Sequence, residues 1–415
     1  MNQKSTLTNG LRVVTEEVAH FYSVSVGIWL NVGSRDEAEA ENGLTHFLEH
    51  MAFKGTGRRS ALQIARETDR IGGTLNAFTT KESTCFHGKV LAAQLPRLVD
   101  LLGDLVTDPR CEAQDLERER QVILEEIGSQ EDNPEELAQV LFERQFWGDT
   151  PLGRPILGLP PVITGVSLNE LGDYRGAHYR PETTVVAASG RVSHQELVDL
   201  IAPHFEKISN QLPPGPRNGV SVHPGIYASR RDLEQVTLCL GTEAPAAGDW
   251  RRYAITLLNL ILGGNMSSRL FQAIREDLGL AYMIYSSVRF LSDTGLMSVH
   301  AQVGPENLDA VIEALSRELR KLKSEGIPPE ELDAAQDYLE ASIYLHAEDA
   351  DDRMTRLARN EIQFGRYIPY DELIANLRAV TIEEIQAEAR ELLKAENWGM
   401  TLLGPVGEDS LTLDF

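Results

Sequence analysis

Two histidines and a glutamate stand at His46, Glu49 and His50 in the order His-x-x-Glu-His. On an α-helix, positions i, i+3 and i+4 share one face, so all three side chains point the same way. Two imidazoles one turn apart can grip a single metal ion. The carboxylate between them then lies within reach of a water that the ion activates. This is the inverted order of the zincin helix. Without a metal, the same five residues would be a polar helix edge with ordinary hydrogen bonds. A catalytic zinc takes three protein ligands and keeps one position open, so a third ligand is needed.

The best candidate to carry it is the run from Asp115 to Ile127. Its apolar stripe is Leu116, Ile123 and Ile127. At about 100° per residue, Glu119 and Glu126 fall within about 20° of each other beside that stripe, whereas Glu125 points nearly opposite. The periodicity therefore selects Glu126 over Glu125 and makes Glu119 a second carboxylate facing the same interior. Glu117 and Glu125 read as solvated. Other histidines, such as His87, His178, His194 and His204, lack ligand spacing with one another. Cys85, Cys111 and Cys239 are far apart and none belongs to a CxxC pair, which speaks against a cysteine zinc site and for a reducing compartment.

The scaffold that must hold these residues is large. The chain has 415 residues, enough for two or three domains with real cores. With 63 acidic against 39 basic residues, the net charge is −24. That balance, with no run of Lys or Arg, argues against nucleic acid or an anionic membrane as partner. Apolar stretches such as Ala254 to Leu262 fall short of the ~20 residues a membrane span needs. The N-terminus shows no charged leader followed by an apolar block, so a cytoplasmic location is expected.

Ser5 to Thr8, a two-residue Asn9-Gly10 turn and Leu11 to Thr15 read as a hairpin, followed by a strand at Ser23 to Val32. Helical periodicity begins near Leu44, and the two element types then mix without a βαβ rhythm. The expected class is α+β. The chain also resembles itself: Val166 to Val192 aligns without a gap on Val380 to Val406, at an offset of 214. Two similar halves follow, 1–208 and 221–415, joined by a Pro-, Gly- and Asn-rich linker at 209–220. The same offset carries the histidine helix onto Leu260 to Gly264, which has no His, so only the first half is expected to bind metal.

These motifs occur in an order that resembles the M16 family of zinc peptidases, the pitrilysin or insulysin type. The short branch that includes the mitochondrial processing peptidase β subunit and bacterial homologues is the most similar. The resemblance rests on Asn9-Gly10-Leu11, Gly33-Ser34-Arg35-Asp36-Glu37, Asn42-Gly43-Leu44, His46 to Met51 and Phe53-Lys54-Gly55-Thr56. Gly72 to Thr79 and a glutamate 76 residues beyond His50 complete it. It implies Zn²⁺ held by His46, His50 and Glu126, with Glu49 as general base and Glu119 in support. It further implies two homologous domains, each a mostly antiparallel sheet packed with helices (a LuxS/metallohydrolase-like duplicated fold), together half of a clamshell. Asn76, Ala77 and Phe78 are similar to the family's substrate-binding edge strand. Arg275 and Tyr282 resemble its arginine and tyrosine pair, which reaches the active site from the non-zinc half. On their own these two would read as a surface ion pair and a core aromatic. The implied activity is endopeptidase cleavage of unfolded peptides in a chamber completed by a second chain, a homodimer or a zinc-less homologue. The alternative is a zinc-binding, peptide-holding subunit with little turnover.

Overall fold

Two strands are buried along nearly their whole length, Ser23–Leu30 (SVSVGIWL) and Thr184–Gly190 (TVVAASG). Strands apolar on both faces need a layer on each side, and the computed structural model supplies both. It describes residues 2–206, 208, 217, 220–406, 413 and 415. Most of the expected linker at 209–220 therefore lies outside the described residues.

The first half runs β1 (Asn2–Thr6), β2 (Arg12–Glu17), β3 (Ser23–Leu30), α1 (Leu44–Ala52), α2 (Ala61–Ile71), β4 (Thr74–Thr79) and β5 (Thr84–Leu91). It continues with α3 (Leu95–Thr107), α4 (Ala113–Asp132), α5 (Pro134–Trp147), α6 (Pro160–Gly165), α7 (Leu168–His178), β6 (Thr184–Gly190) and α8 (His194–Phe205). The second half runs β7 (Gly225–Arg230), β8 (Val236–Ala244), α9 (Arg252–Asn259), β9 (Ala281–Phe290), β10 (Gly295–Val303) and α10 (Leu308–Ser324). It ends with α11 (Pro329–His346), α12 (Ala350–Phe364), α13 (Tyr370–Arg378), α14 (Ile382–Leu392) and β11 (Gly399–Gly404). Among the described residues, no helix is long and apolar enough to cross a membrane.

The class is α+β, with one mixed sheet in each of two domains. The first sheet has the order β1-β2-β6-β3-β5-β4 and the second β7-β11-β8-β10-β9. Each is antiparallel except for one parallel pair, β2 with β6 and β7 with β11. Removing β1 leaves the two orders identical.

The repeat read at an offset of 214 appears in atomic detail. Ser167 and Thr381 each accept a hydrogen bond from the N–H three residues on, at 3.3 and 3.2 Å, and start α7 and α14 with the same capping box. Gly190 and Gly404 end their strands at φ 120° and 146°. A Cβ at either would lie 2.4 or 2.6 Å from a neighbouring carbonyl oxygen, so only glycine fits.

The compact units differ from the expected contiguous halves. One comprises residues 1–128, 154–217 and 344–368; the other comprises 129–153, 218–343 and 369–415. The boundary at 217/218 falls inside the expected linker, but each half gives a helical segment to the other unit. Met354, Leu357 and Ala358 of α12 cover Val14, Trp29, Val185 and Ala187 in the first unit. Phe142, Phe146 and Trp147 of α5 pack with Cys239 and Leu403 in the second. Burial of an open sheet face, not chain order, assigns these helices.

The N-terminal hairpin also departs from expectation. Its connection runs from Leu7 to Leu11, closed by Leu7 N–H to Leu11 O at 2.8 Å, instead of being a two-residue turn. The Asn9 side chain explains this: its amide donates to Phe205 O at 3.1 Å and its oxygen accepts from Leu11 N–H at 3.2 Å.

Candidate metal centre

α1 buries Leu44, Phe47, Leu48 and Met51 in the main core of the first unit. That fixes the helix about its axis and brings His46, Glu49 and His50 to one edge. α4 is anchored in the same way by Leu116, Ile123 and Ile127, with Glu119 buried and Glu125 exposed. Arg120, beside Glu119, donates to the carbonyl oxygens of Ile163 and Val166, which locks the rotation of α4.

Ligand atoms of His46, His50 and Glu126 all lie within 4.8 Å of one another, the only such group of His, Cys, Asp and Glu among the described residues. Glu126 Oε2 is 3.8 Å from His46 Nε2 and 3.5 Å from His50 Nε2. These separations are long for hydrogen bonds. They match the ~3.4 Å between ligand atoms that tetrahedral zinc imposes with bonds of about 2.1 Å. His50 turns Nε2 toward this point because its Nδ1 is held by Glu119 Oε2 at 3.1 Å. Carboxylate support of this kind fixes the tautomer of a ligating histidine. Lys54 Nζ in turn sits 2.5 Å from the other Glu119 oxygen and pairs its buried charge.

The electrostatics suit metal binding. Burial, reinforced by His50, pushes His46 down to about 3, so the imidazole is neutral and its lone pair available. Its Nδ1 is buried with no hydrogen-bond partner among the described residues. Burial raises the Glu49 carboxyl above the ordinary range and the Glu126 charge adds to this; a Thr79 hydrogen bond and His50 act in the opposite direction. Thr79 Oγ1 donates to Glu49 Oε2 at 2.5 Å. A donor set of two imidazole nitrogens and one carboxylate, beside a second carboxylate poised to take a proton, fits a catalytic zinc.

Sequence reasoning assigned no role to Thr79 or Lys54. Both lie inside quoted motifs, but their partners, Glu49 and Glu119, are 30 and 65 residues away in the chain. No helical periodicity could have paired them.

β4 ends the first sheet and pairs only with β5. Asn76, Ala77 and Phe78 alternate across it. Ala77 is buried in the core with α1, whereas Phe78 packs edge-on against Trp29 on the opposite face. The Ala77 N–H is bonded to Asn76 Oδ1 at 2.9 Å. In the second unit Arg275 lies on a π-helical segment, Phe271–Asp277, and Tyr282 on β9. Tyr282 is 78% exposed, not a core aromatic. The Arg275 guanidinium is 5.3 Å from the centre of its ring.

Residues 12–159 match the family model described as Insulinase (Peptidase family M16), and residues 165–339 match the Peptidase M16 inactive domain. The chain is 40% identical over 410 residues to a protein of Mycobacterium tuberculosis named an uncharacterized zinc protease, covering 98% of this chain and 93% of that relative. It is 35% identical over 411 residues to a Bacillus subtilis protein of the same description, covering 98% and 99%. Among solved structures, a protease from Helicobacter pylori is similar with a TM-score of 0.92 at 23% identity, over 98% of this chain and 99% of that one. A peptidase M16 inactive domain structure from Pseudomonas fluorescens gives 0.88 at 19% identity, over 99% and 100%.

Proposed function

The chain belongs to the M16 family of peptidases, and from that premise we propose that it is a zinc-dependent endopeptidase acting on unfolded peptides. The observation that carries this reading is the convergence of His46, His50 and Glu126, with Glu49 on the same helix face. Bound there, zinc supplies Lewis acidity toward the scissile carbonyl and toward water.

Glu49 takes the proton of the attacking water and delivers it to the leaving amine. Its partly desolvated carboxylate is basic enough for this, and Thr79 holds its orientation. Glu119 keeps His50 in the ligating tautomer. An extended peptide lies along β4 at Asn76, Ala77 and Phe78, bonded through its backbone as an added strand. That mode requires an unfolded segment and reads few side chains. Arg275 and Tyr282, from this chain or from a second, bind substrate or donate to the oxyanion. The working assembly pairs this chain with a second copy or with a zinc-less relative.

Cleavage of a panel of unfolded basic and neutral peptides, with and without a chelator, tests the reading. Chelator-sensitive turnover that falls by roughly 10²–10⁴ in Glu49→Gln, the range for a general base, with zinc retained, is the expected result. Unchanged turnover in that variant would remove Glu49 as the base, and zinc binding without cleavage would favour a holding role.

A further inference from the structure

α1 has no cap of its own. Its N-cap residue is Gly43, at φ +100°, and no side chain there receives the N–H groups of the first turn. A capping side chain at 43 is excluded sterically, since a Cβ would lie 2.6 Å from Ile163 Cδ1 and 2.8 Å from Gly158 Cα. Glu37 supplies the missing acceptor from outside the helix. Its Oε2 receives Gly43 N–H at 2.8 Å and the Asn42 side-chain amide at 3.1 Å, and its Oε1 receives Thr45 N–H at 2.8 Å. These partners are neutral N–H donors. The charge is thus held by amide dipoles at the positive end of a helix.

Glu37 is 2% exposed, and burial pushes its carboxyl up to about 7 although its hydrogen bonds pull the other way. A buried carboxylate without a cation is a costly way to fill space. What it contacts suggests why it is there. Thr45 immediately precedes His46, and the two candidate histidine ligands are supported differently. His50 is fixed through its ring by Glu119, whereas His46 Nδ1 has no partner among the described residues. The direction of His46 therefore depends on its backbone, which is the first turn that Glu37 caps.

We propose that Glu37 is a positioning residue for the metal centre: as the remote cap of α1, its carboxylate fixes the turn from which His46 presents Nε2. The proposal rests on the zinc reading above. The charged and titratable groups around the cap are few. Asp36 on the same loop is paired with Arg217 at 2.8 Å. Arg154 donates to the Glu37 backbone oxygen at 2.6 Å. Tyr174 on α7 shares a 2.8 Å hydrogen bond with Thr45 Oγ1, and burial holds its phenol far above the ordinary range, so it stays neutral.

Zinc affinity of wild type and Glu37→Gln, measured by competition with a chromogenic chelator from pH 6 to pH 8.5, tests this. The expected result is a loss of about 10- to 100-fold in Glu37→Gln at the alkaline end, the size of other supporting-residue effects. The ratio narrows as pH falls through 7, where wild-type Glu37 itself takes up a proton. Equal affinity at every pH would overturn the proposal and leave the zinc site standing. Should the variant not fold, hydrogen exchange of metal-free wild type at the alkaline end decides: the Gly43 and Thr45 amides must be protected, and unprotected Gly43 and Thr45 amides refute the cap. This second readout needs no metal. Failure of wild type to bind zinc would instead overturn the metal centre and leave the exchange experiment to decide the role of Glu37.

Discussion

Where the first unit carries His46 and His50 on α1 and Glu119 and Glu126 on α4, the second carries no histidine on α9 or on Leu260–Gly264, and has Ala335 and Ser342 on α11. Sheet order equates β3 with β8, so α1, which follows β3, answers to α9 and Leu260–Gly264, which follow β8. Val24 and Val236 pack in the same way against the strand-ending glycines Gly190 and Gly404. On the partner helix, Arg120 donates to the carbonyls of Ile163 and Val166, and Gln336 donates to those of Leu377 and Val380. Both carbonyl pairs are related by the offset of 214, so Arg120 answers to Gln336, Glu119 to Ala335 and Glu126 to Ser342. The second unit keeps the sheet order, the capping box of α7 at α14 and the carbonyl lock, and has no histidine where α1 carries two and no carboxylate where α4 carries Glu119 and Glu126. Leu260–Gly264 is also π-helical, with i→i+5 bonding, so spacing i, i+4 no longer defines one face there. Scaffold and chemistry are separable in this fold.

The comparison breaks most visibly if the two halves of the chain are separated at residue 217. Residues 1–217 expressed alone lack α12 and leave Trp29, Val14, Val185 and Ala187 uncovered on one sheet face. Loss of a cooperative melt in that fragment, restored by co-expression with 218–415, is the expected result; near-UV circular dichroism and thermal melting report it. A fragment that folds alone would show the helix exchange to be dispensable.

A second test concerns the chemistry confined to the first unit. Lys54→Met leaves buried Glu119 without its cation and should weaken zinc binding by about 10- to 100-fold, as outer-shell changes do. Competition with a chelator measures it, and Lys54→Arg should recover most of the loss. The lock on α4 offers a smaller test. Arg120→Ala leaves two carbonyls unsatisfied and should cost about 1–3 kcal/mol in a denaturant titration. Arg120→Gln should cost less, because glutamine already makes the equivalent bonds at Gln336.

A further test is a slope with pH. The folded-state pKa of His46 lies near 3, below its ordinary 6.5. Between those values the unfolded chain holds a proton that the folded chain does not, so metal-free protein loses stability as pH falls from 6.5 toward 3. Melting of chelator-treated protein at pH 7 and pH 5 should show a shallower decline in His46→Gln.

What was legible in the sequence was what local periodicity encodes. His46, Glu49 and His50 are joined by helical spacing, and the stripe Leu116, Ile123 and Ile127 turns Glu126 inward and Glu125 outward. The repeat was readable at β6 and β11 because capping boxes and strand-ending glycines are local signals. The exchange of α5 and α12 was not: an amphipathic pattern shows that a helix has an apolar face, not which sheet receives it. Glu37, Lys54 and Thr79 act through tertiary contacts that no spacing announces, and the Asn9-Gly10 turn was read from its dipeptide although the Asn9 side chain is committed to Phe205 O.

The central claim is that one unit of the pair binds zinc, through His46, His50 and Glu126. Metal content of the purified chain tests it most directly, measured alongside His50→Ala and Glu126→Gln. A three-ligand site in one unit predicts about one zinc per chain, lost or greatly weakened in both variants. No zinc in wild type, or full zinc retained in His50→Ala, would contradict the account.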